Sequence, residues 1–143
     1  MKKNLVILFA AMILCSIPAL SQEAKAAQPA KHRVVFQLTE PQGIAWDMVV
    51  AHVNNLRASF AKDGSEVEVV FFGPGLNMLL KKNSAYEERL KQLADNGVIL
   101  SACQNAMRMM NVKTEDLFPF AAQVDSGAAE LARKQEAGWA YIH

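Results

Sequence analysis

The run Glu66-Val67-Glu68-Val69-Val70-Phe71-Phe72 constrains the fold more than any other part of this chain. Its second half is apolar on successive residues, so neither face of the segment can meet water there. A strand with that pattern is buried on both sides, as happens in a parallel sheet covered by crossover helices. The run stops at Gly73-Pro74-Gly75, where the chain must turn.

The flanking segments supply such helices and further strands. Residues 32–38 form a β-rich run closed by Thr39-Glu40-Pro41-Gln42-Gly43. Trp46, Val49, Val50, Val53, Leu56 and Phe60 then recur at helical spacing, with Asp47, Asn54, Asn55, Arg57 and Lys62 on the other face, until Asp63-Gly64 ends the helix. After Gly75, a short helical turn is expected through Leu76, Met78, Leu79 and Leu80. Ser84-Ala85-Tyr86-Glu87 has the spacing of a capping box. The helix it would start carries Tyr86, Leu90 and Leu93 and closes at Asn96-Gly97, a good left-handed cap. Residues 98–102 read as a third strand that delivers the chain to Cys103. A short helix over 104–110, a turn at Thr114-Glu115-Asp116, a strand over 120–124, a helix over 126–136 and a closing strand over 139–142 complete the series. Strands alternating with helices predict an α/β fold with a mostly parallel, five-stranded sheet in one domain spanning 32–143.

The N-terminal end has a different character. Met1-Lys2-Lys3-Asn4 is basic, and residues 5–20 carry no charge before Ser21-Gln22. That is the layout of a signal peptide, 1–21, with a second small-x-small site allowing cleavage as late as residue 26. The apolar run is shorter than the roughly 20 residues a bilayer crossing needs, so no stable membrane insertion is expected after cleavage. Residues 22–31, Ala-rich and polar, read as a flexible tether. The protein is therefore expected to be exported, periplasmic or secreted. Loss of 1–21 leaves 13 basic residues against 14 acidic ones, a balance with no electrostatic reason to seek nucleic acid or anionic lipid. It also removes Cys15 and leaves Cys103 as the single cysteine, so no internal disulfide can form and the thiol is free for reaction or for an intermolecular link.

In parallel sheets, ligands and reacting groups collect outside the carboxyl ends of the strands. Thr39 to Gly43, Gly73-Pro74-Gly75 and Cys103-Gln104-Asn105 each follow a strand, so all three can converge on one edge. A helix beginning at Gln104 would point free amides and the positive end of its dipole at the Cys103 sulfur, which favours thiolate over thiol. The competing reading is that Cys103 merely packs, as most buried free cysteines do. Asn105 and Gln104 are candidate donors to a bound sulfur or oxyanion, and Gly73 and Gly75 let backbone approach a ligand; a local cap and a tight turn explain the same residues without one. His32, His52 and His143 lack metal-ligand spacing, so no metal is expected. Met107, Met109 and Met110 read as core or subunit interface. There is no CxxC for dithiol chemistry, no Ser/His/Asp arrangement, no phosphate loop and no call for a cofactor.

Gly73-Pro74-Gly75, Ser84-Ala85-Tyr86 with Arg89 and Leu90, Gly97-Val98, and Ala102-Cys103-Gln104-Asn105-Ala106-Met107 follow one another in an order that resembles the DsrE/DsrF-like family. Glu115-Asp116-Leu117, Ser126-Gly127 with Glu130-Leu131, and Gly138-Trp139-Ala140-Tyr141-Ile142 continue the resemblance to the end of the chain. It implies a flavodoxin-like three-layer fold, homo-oligomers such as a trimer or hexamer, and a cysteine, here Cys103, that accepts sulfane sulfur as a persulfide. A sulfurtransferase-like carrier with a donor or acceptor protein, or a small thiol, is the function so implied. The alternative is a non-catalytic homo-oligomeric module with a structural cysteine. Ala106 stands where the family often has Thr, and the relay members are cytoplasmic whereas this chain reads as exported.

Overall fold

The computed structural model of the chain describes residues 32–143, and the expected leader and tether lie outside that span. Its strands are β1 (His32–Leu38), β2 (Ser65–Phe71), β3 (Ile99–Cys103), β4 (Ala122–Val124) and β5 (Ala140–Ile142), and its α-helices are α1 (Ile44–Ser59), α2 (Glu87–Asp95), α3 (Gln104–Met109) and α4 (Gly127–Glu136). Two 3-10 helices, Gly73–Leu79 and Lys81–Tyr86, lead from β2 into α2. The strands form one sheet in the order β4-β3-β2-β1-β5, and every pair in it is parallel. The expected fold class is therefore met, with no antiparallel strand in the sheet.

From β1 to β4 the chain advances along the sheet in one direction, and right-handed crossovers put α1, α2 and α3 on the same face. The step from β4 back to β5 reverses direction, so α4 lies on the opposite face. The packing is correspondingly unequal. Phe36, Val69, Phe71 and Leu100 from the strands meet Trp46 and Val53 of α1 and Leu90 of α2 in one large cluster. Trp46 is fully buried, and its indole N–H donates to the Glu40 carbonyl at 2.9 Å, so its polar atom is satisfied as well. The α4 face holds a small cluster of Val35, Val70 and Leu131, backed by Phe72, Val124 and Trp139.

That smaller face also carries a buried charge. Glu68 is 1% exposed. Its Oε1 accepts from the Ser101 hydroxyl at 2.5 Å, and its Oε2 lies 2.6 Å from Lys134 Nζ, a close ion pair without hydrogen-bond alignment. A carboxylate survives in a sheet interior when it is compensated in this way.

Local signals fared unevenly. Gly97 takes φ +84° and closes α2 as expected, with the Val98 amide donating back to Leu93. Ser84, by contrast, is not a cap: it lies inside the second 3-10 helix, which runs directly into α2, and its carbonyl accepts from the Glu87 amide. The residue before α2, Tyr86, makes no side-chain cap. The Ser84 carbonyl already satisfies that amide, and the helical backbone breaks one residue earlier, at Asn83 with φ −100° and ψ 45°, so the hydroxyl is not the cap. The fourth and fifth strands are shorter than their sequence runs because β4 and β5 are edge strands, each paired on one side by three residues.

Candidate functional site

β3 ends at Cys103 and α3 begins at the next residue, so Cys103 is itself the N-cap of that helix. Its Sγ accepts from the Ala106 amide at 3.4 Å, as expected from the strand-to-helix junction. A second donor arrives from across the sheet. The Gly127 amide, first residue of α4, donates to the same sulfur at 3.1 Å. The sulfur thus sits at the positive ends of two helices, one from each face of the sheet.

The topology explains this meeting. β3 and β4 are neighbours whose following helices leave to opposite faces, so a crevice forms outside their carboxyl ends. Gly127 permits α4 to start that close to the sheet: a Cβ there would lie 2.7 Å from Phe72 Cδ1. Ser126 caps α4 by accepting from the Ala129 amide at 3.4 Å. Next to it, Asp125 Oδ1 accepts from the Arg133 guanidinium at 2.5 Å. That bond, with the Ser126 amide second, holds the Asp125 carboxyl below the usual carboxylate range, and Asp125 followed by Glu130 raises the Arg133 guanidinium.

The other expected site residues divide into two groups. Gln104 and Asn105 stand beside Cys103. Gln104 is half-buried and donates to Gln123 at 3.5 Å across the β3–β4 pair, while Asn105 is exposed and accepts from the Arg108 side chain rather than capping the backbone. Gly73 and Gly75 lie on the same sheet edge but serve the junction of β1 and β2. Gly73 takes φ +51°, and a Cβ on Gly75 would come within 2.3 Å of the Leu38 carbonyl oxygen. The Gly75 amide instead donates to Thr39 at 3.1 Å. Close approach of one strand end to the next accounts for both glycines without a ligand.

Cys103 itself is 4% exposed. Around it, Ala106 and Met107 are buried, whereas Met109 is 86% exposed, so the methionines do not gather on the sulfur. The histidines stay apart: His32 stacks on Phe60, His143 on Tyr141, and His52 is exposed on α1. Among the described residues no group of three or more His, Cys, Asp and Glu is placed to hold a metal ion, and no helix is long and apolar enough to cross a membrane.

Three residues were missed from sequence. Gly127 was visible only in the Ser126-Gly127 pair that carries the resemblance, with nothing to say that its amide would reach β3. Glu68 and Lys134 carried no signal at all, since the alternation Glu66-Val67-Glu68 reads as a polar strand face and their pairing depends on how α4 lies.

A family model described as the DsrE/DsrF-like family matches residues 48–143. A structure of a protein of unknown function from Methanobacterium thermoautotrophicum is 32% identical over 78% of this chain and 98% of that one, with a TM-score of 0.74. A conserved protein of unknown function from Bacteroides thetaiotaomicron, 11% identical over 77% of this chain and 92% of that one, shares the fold at a TM-score of 0.62. No curated protein matches.

Proposed function

The chain belongs to the DsrE/DsrF-like family, whose members suggest a sulfur-relay-type role, and on that premise we propose that it is a sulfur carrier working through Cys103. The observation that carries this reading is the pair of backbone amides on one sulfur, at 3.4 and 3.1 Å. Amides fixed in the two helices cannot rotate away, and they are placed to donate to the inner sulfur as it leaves as a thiolate when an acceptor attacks the outer sulfur of a persulfide.

The proposed step balances without an oxidant. The Cys103 thiolate attacks the sulfane sulfur of a small donor such as thiosulfate; an S–S bond forms, the donor's S–S bond breaks, and sulfite leaves with the electron pair. The thiolate of an acceptor then attacks the outer sulfur and regenerates the Cys103 thiolate. With one cysteine in the domain, the acceptor is a small thiol or a partner protein.

The family's homo-oligomeric habit and the N-terminal sequence extend the proposal to an exported trimer or hexamer. Light scattering on protein recovered from the periplasmic fraction tests both, and a monomer, or protein confined to the cytoplasm, would refute the corresponding part.

Burial of Cys103 favours a second reading, a non-catalytic oligomeric module in which the thiol packs. One experiment separates the two. Protein treated with thiosulfate, freed of the donor and then given a small thiol should release a persulfide of that thiol, and Cys103→Ala should release none. Equal release from both proteins, or none from either, leaves the packing module.

A further inference from the structure

We propose that α4 is a hinged cover over Cys103, latched to the sheet by the Glu68–Lys134 ion pair. The sulfur lies under the first residue of this helix, the Gly127 amide donating to it at 3.1 Å. A carrier must bare that sulfur to load and discharge it, yet Cys103 is 4% exposed in the closed arrangement.

α4 is the element best suited to move. Of its 10 residues, Gly127 and Leu131 are buried, and beneath it the fully buried partners are Val35 and Val70. It spans from one edge of the sheet to the other, joined to three-residue strands at both ends. Gly138, at φ +82°, follows its last turn. Few apolar contacts and short edge strands put such a unit at the low end of local stability.

The attachment that specifies the closed position is polar. Glu68, 1% exposed, sits with Oε2 2.6 Å from Lys134 Nζ, and Lys134 lies over the Trp139 ring at 4.2 Å. When α4 swings out, both ions regain water, so opening costs less than exposing an apolar patch of the same size. In the closed state Glu68 does not tolerate loss of Lys134, because a buried carboxylate would lose its ammonium partner, whereas Lys134 without Glu68 would still have Glu130 Oε1 at 3.6 Å. The pair therefore fixes where α4 returns without sealing it shut.

The purpose of this motion rests on the carrier reading, but its existence does not, since an alkylating agent reports access whether or not a persulfide ever forms. The test labels the folded full chain with iodoacetamide and follows hydrogen exchange in parallel. Cys103 should label at the rate at which the α4 amides exchange, and much faster than the amides of α1. Lys134→Met should raise the labelling rate on the order of tenfold to a hundredfold, and adding Glu68→Gln should return it to within about threefold of wild type, with α1 exchange unchanged. Wild-type labelling that keeps pace only with α1 exchange would mean that Cys103 is reached by global unfolding, and it would overturn the proposal. So would wild-type labelling as fast as a free thiol, or a Lys134→Met rate no higher than wild type. If Lys134→Met does not fold, the wild-type comparison of labelling with exchange decides alone. A chain that opens in this way but never takes up sulfur refutes the carrier and leaves the cover standing.

Discussion

At Gly75 the end of β1 leaves no space for a side chain, because a Cβ would meet the Leu38 carbonyl oxygen at 2.3 Å and its carbon at 2.7 Å. Backbone cannot yield as a flexible side chain can, so Gly75→Ala is expected to cost about 1–3 kcal/mol through overpacking. At Gly73 the objection is conformational, a φ of +51° with nothing nearer than 3.7 Å, and Gly73→Ala should cost about 1 kcal/mol. Urea denaturation of the two variants checks the ranking; equal costs, or a larger one at Gly73, would contradict this account. The same two positions show what single residues disclose. That Gly73-Pro74-Gly75 turns the chain at a strand end is readable from composition, but that β1 presses on Gly75 is a fact of the neighbouring strand. Cys103 was readable as the end of a strand and the start of a helix. Its second amide was not, since Gly127 comes from the far side of the sheet.

Among the elements, α4 shows the limit of periodicity. Its existence over 126–136 follows from local pattern, whereas its Ser126 cap emerges only in the structure and the face it covers depends on the order of the strands. Its N-terminal turn is braced by Asp125 and Arg133, whose 2.5 Å contact holds the Asp125 carboxyl below the ordinary range. The lower pKa belongs to the folded state, so this contribution is present above the ordinary carboxylate pKa and is lost as pH falls through the depressed one. Both side chains are well exposed, Asp125 at 69% and Arg133 at 50%, so the gain is small and sensitive to salt. Thermal unfolding of wild type and Asp125→Asn should differ near pH 6 and converge as pH falls below the ordinary Asp pKa of about 3.9 and through the depressed one. A difference that persists unchanged through that fall would show that the pairing does not depend on the carboxylate charge. The second 3-10 helix teaches the converse lesson. Ser84 and Glu87 have cap spacing, yet the helical backbone breaks one residue earlier, at Asn83, and runs on from Ser84 into α2 without a side-chain cap.

For the molecule as a whole, the succession of strands and helices was sufficient to expect a parallel α/β sheet, because double-sided apolar runs such as Val69-Val70-Phe71 admit few other burials. The strand order was not readable, and it matters most. Placing β4 beside β3 and sending the chain back to β5 puts helices on both faces and brings two helix starts to one sulfur. A cysteine so held can serve either as packing or as a carrier, and the carrier role is the one proposed for Cys103. Intact mass of the native protein after incubation with polysulfide tests it most directly. Wild type should gain the mass of one sulfur atom, removable by a small thiol, while Cys103→Ser gains nothing. A wild type that stays unchanged, or a Cys103→Ser variant that gains as much, would contradict it.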